Sequence, residues 1–235
     1  LYEVHSMKLT DYLKGLDGKR IAVLGVGVSN TPLIELLLKA GHDVVACDRS
    51  ERTSLGERAE HLESLGAKLR LGEDYLKDLD ADVIFRTPGI RPDLPEIAEA
   101  VSRGAVLTSE MEAFFEVCPC PIIAVTGSDG KTTTTTIISE FLRAAGYTAH
   151  IGGNIGTPLL DRAEEMKPSD MAVLELSSFQ LMTMKKSPHI AVVTNISPNH
   201  LDVHRDMEEY VEAKSNILRY QSAGDIAAVN ADCKT

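Results

Sequence analysis

Ile122-Ile-Ala-Val-Thr-Gly-Ser-Asp-Gly-Lys-Thr-Thr-Thr-Thr-Thr136 sets an apolar strand, a glycine-bearing loop, a lysine and a threonine-rich helix start in one unbroken order. The general phosphate-loop pattern G-x-x-x-x-G-K-[ST] needs a glycine at position 125. Val125 stands there, and the first glycine is Gly127. Gly127, Ser128, Asp129 and Gly130 are expected to turn successive backbone N–H groups into one concavity. Lys131 then adds a point charge for the outer phosphates. Thr132 or Thr133 offers a hydroxyl to a magnesium ion. The helix predicted from Thr132 to Ala145 adds its dipole at the same place. Consecutive β-branched threonines are poor helix formers, and a hydroxyl-rich start facing phosphates is one reason to keep them.

Two loops beyond this one fall where strands of the same sheet end. Met171–Glu175 and Ile190–Asn195 read as strands, each ending in a polar residue. Glu175 is a natural magnesium ligand beside a phosphate cradle. His200 follows the second strand. Taken singly, each has a plain alternative, Glu175 as a solvated edge and His200 as a loop hydrogen-bonder; together after the cradle they point to a site. Met207–Tyr220 reads as a helix and Ile226–Asn230 as a last strand.

Working toward the N-terminus, Arg20–Gly25 is a buried strand, and Gly25-Val-Gly-Val-Ser-Asn30 opens a helix to Ala40, capped by Asn30 or Thr31. The first two glycines suit a tight turn and close approach to a phosphate, but Asn30 takes the place of the third. Asp48 ends the strand Asp43–Asp48, where an acidic residue meets ribose hydroxyls in dinucleotide-binding units; a helix cap or loop role is its plain alternative. The spacing predicts a helix over Ser54–Leu65, a strand over Asp82–Arg86 broken by Thr87-Pro-Gly-Ile90, a helix over Glu96–Ser102 and a short strand over Ala105–Leu107. Strands alternating with helices predict an α/β fold with parallel sheets. The proline-bearing stretch Val117–Pro121 reads as a link, dividing a Rossmann-like domain (1–118) from an incomplete P-loop-type ATP-binding domain (119–235). Residues 1–6 precede Met7 and are set aside.

The totals narrow the function. The chain has 235 residues, 43% hydrophobic and 25% charged, and a formal charge of -11 without a basic stripe. Nucleic acid is therefore not an expected partner. No apolar run reaches the roughly 18–20 residues of a membrane span, and no secretory signal is read. Cys47, Cys118, Cys120 and Cys233 lack zinc spacing and read as reduced thiols of a cytoplasmic protein. A monomer is expected.

These segments resemble the Mur ligases, the ATP-dependent amino-acid ligases of peptidoglycan synthesis. Thr126-Gly-Ser-Asp-Gly-Lys-Thr-Thr133 looks like that family's displaced-glycine phosphate loop. Glu175-Leu-Ser-Ser-Phe-Gln-Leu181 is similar to the segment that marks the member adding D-glutamate to UDP-N-acetylmuramoyl-L-alanine. Gly152–Gly156, Thr87–Ile90 and Val229–Asp232 agree with it, and the resemblance covers the chain from Met7 onward.

The resemblance implies roles by position. Lys131 and Thr132 would hold the ATP phosphates and a first magnesium, and Glu175 would ligate magnesium. His200 would sit between metal and acyl acceptor. Lys214, in Glu212-Ala-Lys-Ser215, matches the lysine that the family carbamylates to help hold a second magnesium. Asn154, Ser177 and Gln180 would contact the muramoyl-alanine end of the substrate. Val28, Ser29, Asp48, Thr87 and Gly89 match the lining of a uridine-diphosphate site, so the first domain would hold UDP, not NAD. Asn30 departs from the family glycine, and Val203 stands where relatives can carry arginine. The family's third, amino-acid-binding domain is not among these residues, so this stretch by itself is expected to bind nucleotide without forming the amide bond. Three rivals remain at this level. They are an NAD-dependent oxidoreductase resting on Gly25–Asn30 and Asp48, a non-catalytic ATP-binding module, and a folylpolyglutamate synthase-like ligase.

Overall fold

Ten short strands in two all-parallel sheets carry the fold in the computed structural model, which describes Val4, residues 6–198 and residues 204–233. In chain order the elements are α1 (Leu9–Lys14), β1 (Ile21–Leu24), α2 (Asn30–Lys39), β2 (Val44–Asp48), α3 (Arg52–Leu55), α4 (Glu57–Ser64), β3 (Lys68–Leu71) and β4 (Val83–Arg86). Next come α5 (Pro95–Ser102), β5 (Val106–Thr108), α6 (Glu110–Val117), β6 (Ile122–Thr126), α7 (Lys131–Ala144) and β7 (Ala149–Gly153). A 3-10 turn (Leu160–Glu165) precedes β8 (Met171–Glu175), α8 (Ser178–Leu181), β9 (Ile190–Val193), α9 (Met207–Arg219) and β10 (Ile226–Val229).

Leu9–Ala113 forms one compact unit, and the described residues from Phe114 on, with those before Leu9, form the other. The first sheet runs β3-β2-β1-β4-β5 and the second β10-β9-β6-β8-β7. Parallel strands covered on both faces read as continuous apolar runs, and β1, β4 and β6 are buried throughout. In each sheet the central strand leads into a glycine loop at its carboxyl end. There the strand order reverses, and a crevice opens in folds of this kind.

Several local expectations change. The helix predicted over 54–65 is two helices, because Gly56 takes φ 51° between them. Neither Asn30 nor Thr31 caps α2: Ser29 holds the cap position and makes no side-chain capping bond, while Asn30 turns inward. β9 stops at Val193, leaving Thr194 and Asn195 in the loop. The helices α1 and α6 and the strands β3 and β7 are short and were not expected. Within the Val117–Pro121 stretch, Val117, Cys118 and Cys120 are buried, and Ala172 N–H donates to the Pro121 carbonyl at 3.0 Å. The compact units part between Ala113 and Phe114, inside α6.

Candidate functional site

In the second unit the loops after β6, β8 and β9 meet at the carboxyl edge of the sheet. Val125 lies inside β6, fully buried and paired with Glu175 and Val192 of the flanking strands. That register leaves no turn at position 125 for a glycine to make. The glycine is needed at 127, where φ is 150° and an added Cβ would lie 2.0 Å from Thr194 Oγ1. Gly130 then enters α7 with a left-handed φ of 77°.

The phosphate loop is braced by the loop after β9. Ser128 N–H donates to the Asn195 carbonyl at 2.9 Å, and Asp129 N–H to Asn195 Oδ1 at 3.1 Å. Thr194 Oγ1 and Asn195 Nδ2 donate to the Asp129 carbonyl at 2.6 and 3.0 Å. The expectation that all the loop amides face one concavity is thus corrected, because those of Ser128 and Asp129 are committed to the loop after β9. What faces outward is the start of α7, whose first N–H groups have no intrahelical acceptor. Ser128 is likewise a brace: its hydroxyl donates to the Ser197 carbonyl (2.9 Å), accepts from Ser197 N–H (2.8 Å) and lies 2.9 Å from the Tyr210 hydroxyl.

Five polar side chains converge around this loop: Thr132, Glu175, Asn154, Lys131 and Lys214. Glu175, 2% exposed, accepts from Thr132 Oγ1 at 2.6 Å and from Asn154 Nδ2 at 2.9 Å. Lys131 Nζ folds back onto the carbonyls of Gly127 (3.0 Å) and Ser128 (2.8 Å). Lys214, also 2% exposed, sends its Nζ to the same Gly127 carbonyl at 2.9 Å and to Thr126 Oγ1 at 3.3 Å. Its ammonium lies 4.7 Å from the Tyr210 ring centroid. Burial, reinforced by the charge of Lys131, pulls the Lys214 amine down to about 7. Thr133 is exposed on α7. Gly153 carries the Asn154 turn: φ is 94° and a Cβ would strike the Glu175 carbonyl at 2.1 Å.

Ser177 and Gln180 meet each other as a capping box on α8, with Ser177 N–H donating to Gln180 Oε1 (3.0 Å) and Gln180 N–H to Ser177 Oγ (3.2 Å). His200 lies outside the described residues. Among those described, no three His, Cys, Asp or Glu side chains gather with metal-ligand geometry. The donors present are oxygens: one buried carboxylate and a threonine hydroxyl at a phosphate loop. That set suits magnesium, which usually takes one or two carboxylates and completes its shell with water and substrate phosphate. Thr194, Asn195, Tyr210 and His204 were not singled out from the sequence, because the partners that give them a role lie far away along the chain.

In the first unit Gly25 has φ 91°, and a Cβ there would lie 2.5 Å from Thr87 Cγ2, so the loops after β1 and β4 touch. Asn30, where the third glycine is expected, is 2% exposed and donates its side-chain amide to the carbonyls of Leu24 (3.1 Å) and Gly25 (3.0 Å). It closes the turn that a glycine would leave open. Asp48 accepts from Val26 N–H at 2.6 Å and Ser50 N–H at 2.8 Å, tying β2 to the glycine loop. Val28 is 73% exposed, Ser29 is exposed beside it, and Gly89 has open space where a side chain would be. Arg86, buried, donates through Nη1 to the carbonyls of Thr87 (3.2 Å), Pro88 (3.1 Å) and Ile90 (2.5 Å) and so shapes the Thr87–Ile90 turn. Burial lowers its guanidinium to about 10, opposed by Glu112, so it stays charged. No helix among the described residues is long and apolar enough to cross a membrane.

A family model, the Mur ligase middle domain, matches residues 125–235. A UDP-N-acetylmuramoylalanine--D-glutamate ligase of Acetivibrio thermocellus is 56% identical over 226 residues, spanning 96% of this chain and 48% of that protein. The protein of the same name from Clostridium botulinum strain Hall is 54% identical, over 96% of this chain and 49% of its own length. The chain thus spans about half the length of the curated relatives it matches. Among solved structures, the UDP-N-acetylmuramate:L-alanyl-gamma-D-glutamyl-meso-diaminopimelate ligase of Neisseria meningitides aligns with TM-score 0.56 at 20% identity, over 92% of this chain and 72% of that one. The UDP-N-acetylmuramate-alanine ligase of Thermotoga maritima aligns with TM-score 0.51 at 21% identity, over 92% and 50%. These two likenesses speak for the fold, and the sequence identities speak for kinship: the chain belongs to the Mur ligase family.

Proposed function

We propose that this chain carries the UDP-substrate and ATP-binding parts of a cytoplasmic, monomeric ligase. That enzyme joins D-glutamate to UDP-N-acetylmuramoyl-L-alanine at the expense of ATP. The observation that carries the reading is the convergence of Thr132, Glu175, Asn154, Lys131 and Lys214 on the loop after β6.

Lys131 donates to two neutral carbonyls; an anionic phosphate is the stronger acceptor and would draw it outward. Gly130, Thr132 and Thr133 at the start of α7 would meet the phosphates with backbone N–H groups and hydroxyls, and Gly127, Ser128 and Asp129 would hold the loop in shape. Thr132 and Glu175 would hold a first magnesium ion. Lys214 would join a second as its carbamate, and His200 would stand between metal and acyl acceptor. A neutral amine is what carbon dioxide reacts with, and the lowered Lys214 makes one available near neutral pH. When bound, magnesium offsets the repulsion between the substrate carboxylate and the polyphosphate.

The substrate carboxylate would take the γ-phosphoryl group, and the D-glutamate amine would then displace phosphate. Positioning and charge neutralisation are the protein's main contribution to such a transfer. Asn154, Ser177 and Gln180 would bind the muramoyl-alanine end. Val28, Ser29, Asp48, Thr87 and Gly89 would line the uridine-diphosphate site of the first unit.

The test is phosphate release by a full-length chain given UDP-N-acetylmuramoyl-L-alanine, ATP and magnesium, with and without D-glutamate. Release that requires D-glutamate supports the reading; release indifferent to it, or driven equally by other amino acids, overturns it.

A further inference from the structure

His204 has a part in none of the roles above, yet it sits where they meet. Its side chain is fully buried, at 0% exposure. A ring with two polar nitrogens is costly to bury unless both find partners. Nε2 lies 2.8 Å from Ser178 Oγ, and Nδ1 lies 3.4 Å from Glu209 Oε2. The Ser178 contact is of hydrogen-bond length, and the Glu209 carboxylate faces Nδ1 from farther off. The ring also stacks on Phe179, with centroids 5.0 Å apart and planes 6° from parallel, and meets Tyr210 edge-on at 5.2 Å.

Each of those partners leads to a different part of the site. Ser178 and Phe179 begin α8, a helix of only four residues directly behind the strand that ends in Glu175. A helix so short has no stability of its own. It stands on the Ser177–Gln180 capping box and on what packs against it. Tyr210 reaches the phosphate loop through Ser128 and lies under Lys214. Glu209 holds the approach to α9 by accepting from Arg205 N–H at 2.8 Å. Phenylalanine could supply the stack and glutamine the polar contact, but histidine supplies both.

We propose that His204 is a positioning residue for the ligase reaction: it fixes α8, and with it Ser177 and Gln180, against Tyr210 and the phosphate loop. The muramoyl-alanine end of the substrate is thereby presented at one distance from the γ-phosphate of ATP. This assignment rests on the substrate reading given above.

The experiment compares wild type, His204→Phe and His204→Gln in a full-length chain, measuring KM for UDP-N-acetylmuramoyl-L-alanine and for ATP, Tm, and calorimetric binding of UDP-N-acetylmuramoyl-L-alanine and of UDP. The phenylalanine variant raises KM for the muramoyl substrate roughly tenfold and KM for ATP by less than about twofold, and the glutamine variant falls between. UDP affinity stays at the wild-type value in both. A fall in Tm with both KM values unchanged, or equal changes in the two, overturns the positioning role. If wild type shows no D-glutamate-dependent phosphate release, the reaction assignment fails by itself, and binding then decides His204. Weaker UDP-N-acetylmuramoyl-L-alanine binding with unchanged UDP binding supports it, and variant affinities equal to wild type overturn it. A wild type that does not bind the muramoyl nucleotide overturns both.

Discussion

Thr132 Oγ1 donates to Glu175 Oε2 at 2.6 Å across 43 residues of sequence. The bond joins the first turn of α7 to the end of β8, and both groups are what a magnesium ion at the phosphate loop requires. Glu175→Gln keeps the shape and removes the anion. We expect it to lower magnesium-dependent phosphate release by about 100-fold or more. UDP binding should be unchanged, because the proposed UDP site belongs to the other unit. Steady-state assays paired with calorimetry check this; a parallel loss of UDP affinity in a folded variant would contradict the assignment.

Two loop glycines separate steric need from backbone need. At Gly127 a Cβ would lie 2.0 Å from Thr194 Oγ1 and close to Asn195 backbone, whereas at Gly130 nothing lies within 4 Å and only φ of 77° resists a side chain. Gly130→Ala should destabilise by about 1–2 kcal/mol. Gly127→Ala should cost about 3 kcal/mol or more, because the phosphate loop and the loop after β9 must part. Urea midpoints measured on the two variants compare them directly. Equal losses would show that Thr194 yields freely.

The strand, glycines, lysine and helix from Ile122 to Ala144 were legible because every signal in them is local. The same holds for β1, β2, β4 and β8, whose apolar runs are long enough to stand out. What was not legible depends on partners far along the chain. Nothing near Asp129 says that its amide belongs to Asn195, and nothing near Ser128 points to Tyr210. A phosphate-binding motif suggested amides free for ligand, and tertiary bracing took two of them. Likewise Lys68–Leu71 has two charged residues and reads as polar until Val45 and Cys47 are seen beside it. Gly56 looks tolerable inside a helix by spacing alone, yet it divides α3 from α4.

Asn30 makes the first loop's deviation testable. Its amide satisfies the Leu24 and Gly25 carbonyls, both in a buried turn. Restoring the dinucleotide-type glycine with Asn30→Gly should therefore lower stability by about 1–3 kcal/mol rather than improve the loop. In the unaltered protein UDP should displace NADH in a calorimetric competition. NADH binding tighter than UDP would return the first unit to the dinucleotide binders.

Lys214 gives a pH dependence whose sign follows from its burial. Its pKa is about 7 in the folded chain against 10.5 for a free lysine. Below about 7 both folded and unfolded chains carry the proton, and the folded state bears the full penalty of a buried charge. Between 7 and 10.5 the unfolded chain binds more protons than the folded one, so stability rises with pH. The slope from this group approaches about 1.4 kcal/mol per pH unit within that window. Lys214→Met removes the amine while keeping an apolar side chain beside Tyr210, and it should abolish this part of the slope. The measurement is urea unfolding of the ligand-free, bicarbonate-free protein at pH 7 and pH 9, wild type against variant. Subtracting the variant removes the contributions of cysteines and tyrosines common to both. A wild type whose stability gain from pH 7 to pH 9 equals that of the variant would mean that Lys214 keeps an ordinary amine. The neutral nucleophile available to carbon dioxide near pH 7 would then be lost from the argument, and with it the physical case for a carbamate at this position.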